Sequence, residues 1–471
     1  MSSSPSKLSE SPSESPAIDA DADVNGLEAP GDSATLPEAS GAPSPRLYRV
    51  IWRWHFYAGL IVTPILLMAA ITGALYVFHT ELSGRAYRGL YFVEPTGARL
   101  SYDKQRDVAR QVVEGREIEL LTVHADPRRS TEFTAHLHEG GDANPAQRHQ
   151  SVFVNPYTGD VLGTQIQETE FFHVVLKLHR ELFAGTPGRI LVELATSWGL
   201  VLLVTGVFLW WPRSKKRPGG VWWPRLRGKR YVVLRDLHAV SGIYLAPFAA
   251  IILGTGLFMS QVWGGGYTWI SAQVGQSLGD FLAPGQSKAV REGTPPASLE
   301  RSIAGVLDRC RPDDVIYFMP ASTPKAAHKA YLMVQGDVNT VRGIDVDQYT
   351  GALVAVTETA ELTPMVRVLA FAESLHQGLT FGMTSKILAL LTCLALIGMA
   401  VTGVWMWWDR RPRGSAGFPQ RPKPGGLPKW VWGLIVLLGI LLPTVAASAI
   451  LICCGDGLIR GIAGRRRFQG G

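Results

Sequence analysis

Four histidines of this chain recur in matched surroundings. His55 opens HFYAGLIVTP and His238 opens HAVSGIYLAP, which align without gaps at an offset of 183 (238 minus 55). That register puts Gly59 over Gly242, Pro64 over Pro247 and Thr72-Gly73 over Thr255-Gly256. His179 opens HRELFAG and His376 opens HQGLTFG; with the downstream VTGVFLWW and VTGVWMWW they align at an offset of 197 (376 minus 179). Gly206 then stands over Gly403, and Trp210-Trp211 over Trp407-Trp408. An imidazole binds a metal when one neutral nitrogen faces it and the other is hydrogen-bonded outward. One interfacial histidine can simply cap a helix carbonyl or sit among headgroups, but four at equivalent positions point to a shared site. Gly59 and Gly242 follow their histidines by four residues, hence on the same helical face, where a flat macrocycle can approach.

The remaining histidines and the cysteines narrow the chemistry. His79 lies 24 residues after His55, which at about 1.5 Å per residue puts it near the opposite end of the same helix. Its counterpart is Val262, so it breaks the symmetry yet remains a further candidate ligand. His173 precedes His179 by six residues, off its helical face, and reads as a surface or cap residue. His136 and His138 would point to one side of a strand, a spacing suited to a metal but lacking a third ligand; the favoured alternative is a solvated strand face. His124, His149 and His328 carry no motif. The HEGGD string at His138 is not HExxH, and no GxGxxG after a strand, P-loop or flavin signature occurs, so neither a zinc peptidase nor direct oxidation of a nicotinamide is expected. Cys310, Cys393, Cys453 and Cys454 form no CxxC or CxxCH, so any haem here is held without covalent attachment.

The elements that must position these residues are membrane helices. The 471 residues have a mean hydropathy of +0.11, high for a soluble chain. Five apolar runs, near 56–78, 190–211, 237–263, 387–408 and 430–453, are long enough to cross a core of roughly 30 Å. Polar stretches of about a hundred residues, with alternating apolar patterns and turn signals, separate the first run from the second and the third from the fourth. They share VFVNPYTGDVLG and IDVDQYTGALVAV, read as strand, Tyr-Thr-Gly turn, strand, with Tyr157 over Tyr349 and Gly159 over Gly351. The fold class is therefore a membrane α-helical bundle of four core helices plus a fifth C-terminal helix, with two α+β modules and an internal duplication.

The expected segments are a disordered tail over 1–45, helices over 46–80, 171–212, 237–264, 363–409 and 430–454, outside modules over 81–170 and 265–362, basic loops over 213–236 and 410–429, and a tail over 455–471. The second and fourth of those helices include an approach segment, on which His179 and His376 extend the helix outside the membrane. The net charge of +7 is clustered at Arg46 to Arg53, Arg213 to Arg235 and Arg410 to Lys429, which parity places on one face. That face is cytoplasmic, and the charge reflects topology, with no nucleic-acid partner. A spanning fifth helix would leave Arg460 and Arg465 to Arg467 outside, against the rule. The Trp pairs before Arg213 and Arg410 read as an interfacial belt. Thr72, Thr205, Thr255 and Thr402, each before Gly, read as sites of close helix packing, with a haem-edge contact as the second reading.

These motifs (HxxxG at His55 and His238, LHxxL at His179, its partner at His376, TG-x₃-WW and the Tyr-Thr-Gly hairpins) resemble the PepSY-associated transmembrane family of bacterial inner-membrane proteins over roughly residues 46–412. That family is described as iron-regulated, and some members look like haem-containing ferrisiderophore reductases. The resemblance implies four core helices, two PepSY-like periplasmic modules and, in reductase members, two b haems. The expected ligands of haem b iron are His55, His238, His179 and His376, with His79 as a possible substitute. The expected function is transmembrane electron transfer, as an oxidoreductase of the ferric or ferrisiderophore reductase type, from a quinol or other donor to a periplasmic ferric-siderophore acceptor. The alternative is a haem-free membrane protein whose modules bind peptides or partner proteins. A transporter is a third reading, tied to Glu193 near the outer end of a helix.

Overall fold

The computed structural model describes residues 45–137, 148–212, 219–288, 293–334, 336–412, 414, 417–419 and 426–469, with side chains described to residue 456. The tail over 1–44, His138 with its HEGGD string, and 213–218 and 420–425 of the basic loops lie outside the described residues.

The first half runs α1 (Pro45–Tyr76), α2 (His79–Ala86), α3 (Arg88–Tyr91), α4 (Tyr102–Val112), β1 (Ile118–His124), β2 (Thr131–Leu137), β3 (Arg148–Val154), β4 (Val161–Ile166), α5 (Phe171–Glu181) and α6 (Gly185–Trp210). The second runs α7 (Arg230–Leu257), α8 (Trp263–Gln273), α9 (Leu278–Leu282), α10 (Leu299–Leu307), β5 (Asp314–Met319), β6 (His328–Val334), β7 (Arg342–Val346), β8 (Leu353–Thr357), α11 (Pro364–His376) and α12 (Met383–Arg410). Helices α13 (Lys429–Leu441) and α14 (Pro443–Gln469) close the chain.

Helices α1, α6, α7 and α12 are long and apolar enough to cross a membrane. They form a closed ring in which α1 packs on α6 and α12, and α7 packs on the same two. The buried positions of these spans are mostly small: Gly188, Ala195, Ser197 and Gly199 of α6, Ser385, Ala389 and Thr392 of α12. Large apolar side chains such as Ile61, Leu191, Ile251 and Leu391 face outward. That distribution suits a lipid solvent, where backbones approach through small residues and burial of apolar surface offers no gain over contact with lipid. The span α7 starts seven residues before its apolar run, at Arg230, because the YVVLRD stretch, with Arg235 and Asp236, is already helical, and it ends at Leu257.

The fifth apolar run is not one straight helix. It breaks at Leu442 (φ −129°, ψ 76°), and α13 and the described part of α14 are bent by 120°. Pro443 lacks the amide that would continue α13 and disfavours helical backbone at Leu442. Pro64 and Pro247 sit inside unbroken helices, so proline alone does not decide. Around the bend, Thr444 Oγ1 donates to Ser197 Oγ (3.2 Å) and the Trp263 indole donates to the Leu441 carbonyl (3.0 Å), anchoring the broken geometry on neighbouring helices.

The two modules between the spans, expected as separate units, share one eight-stranded antiparallel sheet of order β4-β3-β2-β1-β5-β6-β7-β8. The join is the pairing of β1 with β5, with Leu121 opposite Phe318 and Val123 opposite Ile316. Helices α4 and α10 cover one face, burying Ala109, Val113, Ile303 and Val306 against Leu121, Phe133, Phe318 and Leu332. Their N-termini cap each other: Asp103 accepts from the amides of Leu299 (2.9 Å) and Glu300 (3.0 Å), while Glu300 accepts from the amide of Tyr102 (2.8 Å). Each carboxylate thus satisfies amides left unpaired at the start of the other helix. The Tyr-Thr-Gly turns are matching hairpins. Asn155 and Asp347 accept from the amides of the following Tyr and Thr, and the Tyr157 and Tyr349 hydroxyls each donate 2.8 Å to a proline carbonyl. Gly159 and Gly351 supply the left-handed backbone these turns need, at φ 79° and 71°.

Candidate functional site

The four recurrent histidines occupy two levels of the bundle, and each is held by a Thr-Gly pair of a neighbouring helix. At the loop-side level, His55 of α1 bonds through Nδ1 to Thr205 Oγ1 of α6 at 2.8 Å. His238 of α7 bonds through Nδ1 to Thr402 Oγ1 of α12 and to the Met399 carbonyl, both at 3.1 Å. At the sheet-side level, His179 bonds through Nδ1 to Thr72 Oγ1 and the Ala69 carbonyl of α1, both at 3.0 Å. His376 bonds through Nδ1 to the Ile252 carbonyl at 2.9 Å and Thr255 Oγ1 at 3.4 Å, both of α7. Within each half one helix, α1 or α7, carries one histidine and supplies the Thr-Gly pair for the other, while α6 or α12 supplies the pair for the first.

The glycines make room for the rings. A β-carbon at Gly206, Gly403 or Gly73 would stand 3.4 Å from Cε1 of His55, His238 or His179, and one at Gly256 only 2.9 Å from Cε1 of His376. Alanine at position 256 would therefore displace the ring. Gly59 and Gly242, expected to admit a macrocycle, face Leu202 and Met399 of neighbouring helices at 3.9 and 3.3 Å. Their place in the structure is helix packing.

His179 and His376 do not extend the membrane helices. They end separate short helices, α5 and α11, because the chain turns sharply before α6 and α12. In the first half Leu182 and Phe183 take φ of 54° and 58°, a left-handed cap for which β-carbon sterics cost roughly 1–2 kcal/mol per residue. In the second half Gly378 and Gly382, at φ 72° and 60°, turn without that cost. The turns bring the two imidazoles opposite each other across the halves, with ring centroids 6.2 Å apart and planes tilted by 57°. Burial pushes the His179 imidazole down to about 4, with the His376 charge adding to it; burial also lowers His376, against the Ile252 carbonyl. Both rings are thus neutral at pH 7, as metal ligation requires. One turn before His376, burial raises the Glu373 carboxyl while Arg180 opposes it.

His79 starts α2 beyond the end of α1. Its ring stacks on Tyr76 with centroids 4.1 Å apart, and its Nδ1 lies 2.9 Å from the Tyr76 carbonyl. His173 contributes its amide to the N-cap Glu170 (2.8 Å). His136 is paired across β2 and β3 with His149, rings 5.2 Å apart, and His149 Nδ1 meets Glu168 at 2.9 Å; this pairing is not visible as a motif in the sequence. His124 Nε2 accepts from Arg129 (3.2 Å), and burial followed by that guanidinium pushes its imidazole down to about 3. His328 Nδ1 accepts from the Ala321 amide at 2.8 Å. At the loop-side end Asp236 is fully buried between Arg225 and Arg235, and the Trp210 indole donates to the Val221 carbonyl.

Glu193, the residue a transporter would have needed, is a structural cap. Only 2% exposed, its carboxylate accepts from the amides of Val262 (2.6 Å) and Trp263 (3.0 Å) at the start of α8. Glu193→Gln replaces one acceptor oxygen with a donor facing an amide, a mismatch expected to cost about 1–3 kcal/mol. A lower melting temperature of the full chain in detergent, with no change at the histidine levels, is the expected outcome.

The residues that sequence reasoning undervalued are the threonines, read first as packing positions. The signal was present: Thr72 and Thr255 each follow His55 and His238 by 17 residues, and Thr205 and Thr402 each follow His179 and His376 by 26. A polar side chain repeating at the histidine's own offset is a partner candidate.

A family model described as the PepSY-associated TM region matches residues 52–410, a span that contains all four histidines and the sheet. An uncharacterized protein of Pseudomonas aeruginosa is 39% identical over 83 residues, covering 18% of this chain and 20% of that protein. The chain thus matches about a fifth of the length of this relative.

Proposed function

The chain belongs to the PepSY-associated TM family, and on that premise we propose that it is a multi-pass bacterial inner-membrane protein that holds b-type haem at two levels and passes electrons outward to a ferric acceptor. The observation that carries this reading is the sheet-side pair. Two metal–nitrogen bonds of about 2 Å plus two ring radii of roughly 1.1 Å require imidazole centroids about 6 Å apart, and His179 and His376 stand at 6.2 Å. Each Nδ1 is bonded to a neighbouring helix, α1 or α7, which would leave Nε2 for the metal. A haem used for electron transfer would take two protein ligands, and each level offers two imidazoles. His55 and His238 are the proposed ligands at the loop-side level.

When bound, haem b supplies one-electron redox chemistry. The chain's own residues set where that chemistry occurs. His55 and Thr72, the latter holding His179, are 17 residues apart on α1, which at about 1.5 Å per residue separates the levels by roughly 25 Å. That distance nearly matches the hydrocarbon core, so one level serves each face. The sheet modules, read as PepSY-like and periplasmic, stand beside the sheet-side level, where a ferric siderophore is the proposed acceptor. Reduction of hard Fe(III) to Fe(II) weakens its hold on oxygen ligands and releases the iron. The basic loops mark the cytoplasmic face, and a quinol or separate reductant is the proposed donor.

A reduced-minus-oxidised visible spectrum of the purified protein, with a pyridine haemochrome assay per chain, tests the reading. A b-type spectrum supports it and justifies trials of ferric siderophores. A colourless protein made with ample haem sinks it and favours a peptide- or partner-binding role for the modules.

The bend at Leu442 bears on topology. A re-entrant α13–α14 pair returns Arg460 and Arg465 to Arg467 to the face of the other basic segments, which removes the conflict with the positive-inside rule. Green fluorescent protein fused at the C-terminus is expected to fluoresce, and alkaline phosphatase fused there to be inactive. The reverse pattern would mean that the pair spans.

A further inference from the structure

Hydrogen-bond direction at the four threonines carries one more step, which rests on the haem reading above. Each threonine hydroxyl lies 2.7–2.8 Å from the carbonyl four residues earlier in its own helix: Thr72 to Met68, Thr205 to Val201, Thr255 to Ile251 and Thr402 to Gly398. A hydroxyl has one proton, and here it is donated to that carbonyl. Its lone pairs can then only accept, so the histidine Nδ1 beside it must carry hydrogen. Three of the histidines show this independently, because the carbonyls of Ala69, Met399 and Ile252 lie 2.9–3.1 Å from Nδ1 and can only accept. At those three sites the other tautomer would set lone pair against lone pair, and at His55 it would take the Thr205 hydroxyl from the Val201 carbonyl.

We infer that Thr72, Thr205, Thr255 and Thr402 are positioning residues that hold each histidine in the Nδ1–H tautomer, aim Nε2 at the iron and tune its reduction potential. An Nδ1–H that donates to an acceptor makes the imidazole a stronger base, which favours the ferric state and lowers the potential. The four sites are not equal. Thr205 is the only recorded partner of His55 Nδ1 among the described residues, whereas the other three histidines also have a backbone carbonyl. Loss of the hydroxyl therefore matters most at position 205.

The test uses the full chain, with redox titration of the visible spectrum and paramagnetic resonance of the oxidised protein. Thr205→Val is expected to raise one midpoint potential and shift one low-spin signal, leaving the other level unchanged. Thr205→Ser restores both, and Thr72→Val moves the other level by less. Haem loss in Thr205→Val that Thr205→Ser repairs also supports the assignment. A fully loaded Thr205→Val protein that titrates like the wild type overturns it, as does haem loss that serine does not repair. A wild-type protein without haem overturns the haem reading and this inference together, and is seen before any variant is compared.

Discussion

Replacing His376 with alanine is expected to halve the haem bound per chain and to abolish reduction of an external ferric acceptor, while the haem at the loop-side level keeps its spectrum. The argument is one of coordination. The sheet-side level offers two imidazoles 6.2 Å apart, and removing one leaves iron with a single protein ligand. His376 is hydrogen-bonded to Ile252 and Thr255 of α7, and the loop-side histidines are tied to other residues. The lesion should therefore stay local. His179→Ala should produce the same loss through the other half. The pyridine haemochrome ratio is the decisive measurement: a ratio equal to wild type in both variants would mean that this pair does not hold iron. Loss of all haem from His376→Ala, with the protein still folded, would mean that the levels do not load independently.

Much of this site can be read from the sequence, because helical repeats preserve position. His55, His238 and the Thr-Gly pairs fall in gap-free matches, and a constant offset puts equivalent residues at equal depth in equivalent helices. What cannot be read that way is the relation between halves. Nothing in HRELFAG or HQGLTFG says that the two imidazoles face each other, since that depends on the packing of α1 against α12 and of α6 against α7. The turn after His179 is hidden for a different reason. Leu182 and Phe183 adopt a backbone that sequence rules reserve for glycine, and of the two turn glycines of the second half, Gly378 and Gly382, the first half keeps only Gly185, the counterpart of Gly382. The fifth run shows the opposite ambiguity: Pro443 breaks a helix where Pro64 and Pro247 do not, and the difference lies in the partners around the bend. The single sheet was also out of reach, because the alternation in ELLTV and VIYFM specifies a buried face but not the neighbour along the hydrogen-bonding edge.

Phe318→Ala is expected to cost about 3–5 kcal/mol, the usual price of emptying a phenylalanine site in a packed core, and to expose both halves of the sheet to protease at once. Phe318 is completely buried. It stands opposite Leu121 across the join between β1 and β5, under α4 and α10, and its ring lies 5.1 Å from that of His328. Folded domains are stable by roughly 5–15 kcal/mol, so the loss is a large share of what holds the sheet together. If the two modules were independent, the damage would stop at β5 to β8, and cleavage would begin within 299–357 while 102–166 stayed protected. A shared core predicts simultaneous cleavage in both segments, at a denaturant concentration below that of the wild type. Val354→Ala, on edge strand β8 with its side chain 44% exposed, is the control and should shift stability by no more than about 0.5 kcal/mol. Haem retained in Phe318→Ala would add that the helical bundle holds its histidines without help from the sheet.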